Sequence, residues 1–481
     1  MPDNESMTAL SNPPSAPAAP WTCPFCPLLC DAFTVHAEPA NSQLSLVGSA
    51  CTRAGSALAR FEASPSHASA QINGQSVSTD QAVAAAASLL ARSHQPLFGG
   101  LGTDVAGARA LYRLACETGA ICDAAQGRAL MHGLRSLQDR GAFTTTLAEV
   151  RTRADLIVCL TGSPTARHPE FYRRCGVGDA LGEVMGDVAG DAVGDIDQDA
   201  PPTAARGPSA LPPARHVVVF DTAPAGADTG VPAGLPGITT EALPLGGLHG
   251  DVFTTVSLLA ALVAGRPVRN APLHLVALAA RLLAARYAVI VWEAAALPAH
   301  GALVVEAINN LVGTLNRSTR AASFPLGGGD GAATVNQVFS WLGGVPLRSR
   351  LGPAGLEHEP QRFDAERLLA DAAVDALLWV ASFGTELAAP LATLPRIVLG
   401  HPHLAPLAAQ GESVFIPVST PGIGSPGHLF RTDGVVLMPL RAAYPDSLPT
   451  VADVVGRLTV AVQSLRQQPG AAAVSNAELA L

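Results

Sequence analysis

Short apolar runs alternate with longer amphipathic stretches along most of the chain, a pattern that predicts β-α-β units and parallel sheets. Residues 97–101 (LFGGL) read as a buried strand, 104–117 as the helix after it, and 155–161 (DLIVCLT) as a second strand that ends in a glycine turn. The same grammar returns at 216–222 (HVVVFDT), 288–293 (AVIVWE), 376–382 (ALLWVAS) and 396–400 (RIVLG). The expected fold class is α/β with doubly wound parallel sheets. Ligands in such sheets sit beyond the carboxyl ends of the strands. Capping residues fit the helix starts: Asp104 is expected as a solvent-facing N-cap. Asp251 is read as capping a helix from near Val252 rather than as an acid/base partner of His249.

Two stretches break the pattern. Residues 1–20 carry Asp3 and Glu5, no arginine and no apolar h-region, so they read as a disordered tail and not as a secretory signal. Residues 176–214 are acidic, repetitive in Gly and Asp, then Pro-rich, the composition of a flexible surface insertion. Their aspartates lack the ordered ligand register of a calcium loop. The expected organisation is a cysteine subdomain at 21–65, α/β domains at 66–400, and a segment at 401–481 that completes the α/β core. No apolar stretch reaches the length of a membrane span, and nothing suggests a disulfide framework, so a cytoplasmic protein is expected.

Composition narrows the partners. With 481 residues, 48% of them apolar, the chain is able to bury several cores. A net charge of -9 without any basic run argues against nucleic acid. All 30 basic residues are arginine, which excludes a Schiff-base lysine and a phosphate-loop lysine.

The densest chemistry lies near the start. Cys23, Cys26 and Cys30 form C-x2-C-x3-C, and Cys51 follows at a distance. Thiolates so close on a tight loop converge on one centre and the distant one closes the shell, as four-cysteine ligation of a [4Fe-4S] cluster requires. Zinc also accepts four thiolates, although zinc ribbons pair two short knuckles. An inert set of thiols is the third reading.

Several segments together carry a family resemblance: WTCPFCPLLCDAFTV, SACTRAGSALARF around Cys51, and GLGTDVAGARALYRLA. They resemble the B subunit of formylmethanofuran dehydrogenase, in the molybdopterin oxidoreductase family. TGSPTARHP at 161–169 resembles that family's pterin loop, and VVVFDTAPAGAD at 217–228 its nucleotide-proximal segment. NQVFSWLGGVP and HLFRTDGVV are similar to further family strings. The resemblance implies pterin-site positions at Gly162, Ser163, His168 and Asp221, and a cluster on Cys23, Cys26, Cys30 and Cys51. It also implies a tungsten or molybdenum bis-pterin with a cysteine on the metal. Here the chain departs from the pattern: Gly102, Thr103, Asp104, Val105 and Ala106 stand where that cysteine belongs, and the pterin loop lacks the family's asparagine. Cys116 lies about three helical turns further on and reads as a small buried helix residue. These losses resemble the bacterial formyltransferase/hydrolase branch, whose B-like chain works without redox chemistry. That branch implies A, C and D partner subunits, a methanofuran-type carrier, a structural or carrier-binding role and no bis-pterin. A redox-active dehydrogenase subunit is the alternative.

The remaining polar groups read as structure. His401 and His403 form a loop pair without a third metal ligand nearby. Asp433 and Gly434, beside His428 and Arg431, read as a tight turn. Arg348 and Arg350 read as surface arginines able to hold carboxylates. Gly99, Gly100 and Gly102 miss the dinucleotide-binding spacing.

Overall fold

The computed structural model describes residues 20–38, 43–62, 68–177, 214–222, 228–246, 250–384, 389–390, 393–408 and 411–467. The tail, nearly all of the acidic insertion, and His249 lie outside the described residues. Two parallel sheets organise the rest.

The larger sheet has five parallel strands at its centre, in the order Ile121–Cys122, Pro96–Gly102, Ala376–Ala381, Arg396–Gly400 and Ser413–Pro417. Antiparallel strands extend it to nine, with Ser349–Gly352 and Gly355–His358 on one edge and Ala70–Ile72 and Gln75–Val77 on the other. Every residue of Pro96–Gly102 and Ala376–Ala381 is buried, because both faces are covered and the strand must be apolar throughout. Helices Thr79–Arg92, Val105–Thr118, Ala332–Gly343 and Val451–Gln467 pack on the face that carries Phe98, Leu378 and Ile397. Leu97, Leu377 and Trp379 point the other way, toward Phe363, Leu368 and Leu404.

The second sheet is parallel throughout, in the order Ala321–Leu326, Ala288–Glu293, Leu156–Cys159, Arg215–Asp221 and Ile238–Pro244. Helices Val252–Val263, Leu273–Ala284 and Gly301–Leu315 cover one face. The other face packs against the cysteine subdomain, a hairpin of Thr34–Ala37 and Leu44–Val47 with helix Thr52–Leu58, so that Cys23, Cys30 and Phe33 share one core with Val217, Val291 and Phe324. The expected α/β class with doubly wound sheets holds. Strands that read as one series belong to two sheets, and the second sheet is inserted between Cys122 and Ser349 of the first.

Each sheet reverses its strand order once. In the larger sheet the chain moves outward from Pro96–Gly102 on one side and from Ala376–Ala381 on the other. In the second it moves outward from Leu156–Cys159 and from Ala288–Glu293. The crevices beyond the carboxyl ends of these pairs are where this architecture holds ligands. Among the described residues, no helix is long and apolar enough to cross a membrane.

Arg348 corrects the surface-arginine expectation. It is buried, with Nε 3.2 Å from Asp123 Oδ2, Nη2 2.6 Å from Asp364 Oδ2, and Nη1 donating to the Pro360 carbonyl at 2.5 Å. Burial pushes the Asp123 carboxyl up to about 6, against the opposing pull of Arg348. Arg350 pairs with Glu357 at 2.9 Å and lies over the Phe363 ring. Both arginines therefore hold the chain's own carboxylates. Arg348→Ala would leave two buried acids without their cation, and is expected to cost about 3–5 kcal/mol in chemical denaturation. Arg350→Ala, at a half-exposed pair, is expected to cost no more than about 1 kcal/mol.

Candidate functional site

Both crevices open onto the cysteine loop. The loop closes on itself: Cys23 N–H donates to the Cys30 carbonyl at 2.8 Å, and Leu29 N–H donates to the Cys26 carbonyl at 3.0 Å with Leu29 in the left-handed region at φ 44°. All four cysteines of the motif are free and buried. Burial pushes the Cys26 thiol up to about 11 and the Cys30 thiol up to about 12. Cys23 is raised well above the ordinary thiol range, first by burial and then also by the neighbouring Cys30, Cys26 and Cys51. The four thiols thus lie within electrostatic reach of one another, and a metal centre binding there displaces their protons. Among the described residues, no three His, Cys, Asp or Glu side chains surround a single-ion position. A cubane spreads its thiolates over separate iron corners, and four clustered, buried cysteines are the donor set it requires.

The first crevice, beyond Gly102 and Ala381, is a narrow cleft of about 20 Å3 whose lining includes Phe25, Arg53, Gly102, Asp330 and Phe383. No thiol lines it. Asp104 caps helix Val105–Thr118 as expected, its Oδ1 accepting from Gly107 N–H at 3.0 Å, but it is buried rather than solvent-facing. A Cβ on Gly427 would lie 2.9 Å from Asp104 Oδ2, so the hairpin of Gly427–Phe430 and Leu437–Leu440 closes over the carboxylate. These residues do not fit a tungsten or molybdenum bis-pterin held by a protein thiolate, for no thiol lines the cleft and the neighbouring Asp104 is engaged as a cap. Cys116 is half-buried beside the Tyr112 hydroxyl on the same helix.

The second crevice gathers more polar contacts. Gly162 turns the chain after Leu156–Cys159 at φ 85°, and Ser163 Oγ donates to the Thr229 carbonyl at 2.9 Å. His168, on the same connection, is buried with Nδ1 3.4 Å from Cys26 Sγ and Nε2 3.6 Å from Glu293 Oε1. Arg167 Nη1 reaches the same Glu293 oxygen at 3.0 Å. Burial by itself would raise Glu293, but His168 and Arg167 outweigh it and hold the carboxyl below its usual range. Arg53 closes the circuit, donating to the Phe25 carbonyl at 2.6 Å and to the Arg167 carbonyl at 3.3 Å. The structure therefore brings His168 to Cys26 and places Gly162 and Ser163 on the same turn. Asp221 ends the neighbouring strand, one strand away from this crevice. Sequence reasoning missed Glu293, Arg167 and Arg53. The available signal for Glu293 was a carboxylate closing an otherwise apolar strand.

Other expectations resolve locally. Asp251 caps helix Val252–Val263, accepting from Thr254 N–H at 2.7 Å. Gly434 takes the left-handed turn conformation at φ 71°, but Asp433 does more than turn the chain. Its carboxylate pairs with Arg431 at 2.6 Å and accepts from Leu147 N–H at 3.3 Å. His401 is buried, accepts from His403 N–H at 3.2 Å, and meets the Phe61 ring edge-on.

These features define an α/β protein of the molybdopterin-oxidoreductase class, in which two ligand crevices meet at a four-cysteine loop. No protein-family profile matches the sequence. The chain is 30% identical over 404 residues to the B subunit of the formyltransferase/hydrolase complex Fhc of Methylorubrum extorquens, covering 81% of this chain and 96% of that protein. It is 25% identical over 453 residues to the B subunit of the tungsten-containing formylmethanofuran dehydrogenase 2 of Methanocaldococcus jannaschii, covering 88% of this chain and 94% of that one. A chain of the crystal structure of the Methylorubrum extorquens formyltransferase/hydrolase complex FhcABCD with methylofuran superposes with a TM-score of 0.64 at 28% identity, covering 82% of this chain and 99% of that chain. The chain belongs to the family of formyltransferase/hydrolase B subunits.

Burial, with help from His403 and Arg60, lowers His401 to about 4. Between the ordinary histidine range and that value, the unfolded chain takes up a proton that the folded chain refuses, so this contribution to stability is lost as pH falls. Going from pH 7 to 4.5 is expected to remove about 2–3 kcal/mol through this residue. His401→Asn, which keeps an acceptor for His403 N–H, should flatten that part of the pH dependence in urea denaturation.

Proposed function

We propose that this chain is the B subunit of a formyltransferase/hydrolase complex in one-carbon metabolism, on the route from formaldehyde to formate. It is a cytoplasmic scaffold that assembles with A, C and D partners and helps to hold a methanofuran-type carrier. The observation that carries this reading is the first crevice: at the switch point where a dehydrogenase needs a metal thiolate, the chain presents Gly102, Thr103 and an engaged Asp104. Formyl transfer and hydrolysis then fall to the partner subunits. The family membership and the methylofuran in the related complex support the carrier role.

Cys23, Cys26, Cys30 and Cys51 would hold a [4Fe-4S] cluster that cross-links the cysteine subdomain where it packs against the second sheet. A bound cluster supplies charge compensation to four buried thiolates and a one-electron couple. The intact cysteine motif is also what favours the second reading, a redox-active tungsten- or molybdenum-pterin protein. Metal and pterin analysis of the complex purified without oxygen separates them. The expected result is about four irons per copy of this chain without tungsten, molybdenum or pterin. Pterin with either metal near one equivalent would overturn the scaffold reading. Cys30→Ala is expected to lower the melting temperature of the protein by several degrees. An unchanged melting temperature would rule out a structural cluster.

A further inference from the structure

We infer that His168 is a positioning residue for the four-cysteine centre, its Nδ1–H holding the Cys26 thiolate while Glu293 faces the other side of the ring. This rests on the cluster reading above and assigns a role that the pterin-loop resemblance does not.

The geometry is specific. His168 and Cys26 are 142 positions apart, and the contact joins the turn after Leu156–Cys159 to the loop of the cysteine subdomain. The ring is 3% exposed, and its Nε2 has no hydrogen-bond partner within reach, only the Glu293 carboxylate at 3.6 Å. The contact with Cys26 needs only the tautomer that carries its proton on Nδ1. Arg167 holds Glu293 in place, and Arg53 pins the carbonyl of Phe25, the residue before Cys26. Cys26 is thereby fixed from its side chain and from its backbone. Ligand-bracing contacts of this kind orient the donor atom, and hydrogen bonds to cluster sulfurs set the reduction potential. Cys30 has a different environment, facing the charges of Arg174 and Arg173.

A histidine that merely fills space would matter equally with and without iron. The two roles separate in the intact complex, reconstituted anaerobically with iron and sulfide, by measuring iron retention against a chelator, the electron paramagnetic resonance spectrum of the reduced cluster, and its midpoint potential at fixed pH. His168→Ala is expected to weaken iron retention about 10- to 100-fold and to shift the midpoint potential negative. His168→Asn, whose amide nitrogen takes the place of Nδ1, is expected to restore both. His168→Gln, whose amide reaches toward Glu293 instead, is expected to behave like the alanine variant and serves in its place if that one does not fold. Iron retention, spectrum and potential unchanged in the alanine or glutamine variant of an iron-loaded complex would overturn this inference and leave the cluster reading standing. A wild-type complex that takes up no iron would overturn both.

Discussion

The carbonyl of Thr103 occupies the space where residue 331 would carry a side chain, and the rest of the site depends on that contact. Gly331 has φ 81°, and any Cβ there would press into the Thr103 backbone. Thr103 follows the central strand of the larger sheet, whereas residues 327–331 follow the outer strand of the second, so the contact fixes one sheet against the other. Gly327, Gly328 and Asp330 also take positive φ, which lets the loop lie flat enough to reach both Pro27 and Arg53. A bulkier loop would part the crevices and lift the cysteine loop off its seat.

With the sheets held this way, the two switch points act as one region. Arg53 donates to the carbonyls of Phe25 and Arg167, Arg167 holds Glu293, and Glu293 faces His168, which meets Cys26. The first crevice keeps its position at the strand ends, and no thiol lines it. The second keeps a polar circuit in which His168 and Glu293 are buried while the Arg167 side chain that holds Glu293 stays half-exposed. A buried carboxylate such as Glu293 is costly without partners, and Arg167 and His168 supply them.

Much of this was legible in the sequence because fully covered parallel strands are uniform apolar runs. LFGGL, AVIVWE, ALLWVAS and RIVLG all proved to be strands, and Asp104 and Asp251 proved to be caps. The division into two sheets was not legible, because periodicity reports what each strand buries and not which strand lies beside it. Ser413–Pro417 and Ala321–Leu326 escaped notice because each contains or ends in a proline, which breaks the uniform apolar run. Burial of polar groups was the other blind spot. Nothing in the local sequence distinguishes Arg348, held by Asp123 and Asp364, from the partly exposed Arg350 two positions on, and the contact of Asp433 with Leu147 joins distant parts of the chain. The cysteine spacing was plain from the start, but the histidine that meets it comes from another layer of the fold.

The insertion of one sheet within the other also sets the order in which the chain acquires structure. Strands Ala70–Ile72 through Ile121–Cys122 emerge from the ribosome long before their partners at 376–417, and the whole of the second sheet is made in the interval. Its own pairings are more local, so it closes first, while the early strands of the larger sheet wait with their edges unsatisfied. The nascent protein is therefore most exposed to misassociation during the synthesis of residues 123–375. A chaperone or an early-arriving partner that shields those edges would raise the yield of assembled complex without altering the finished molecule.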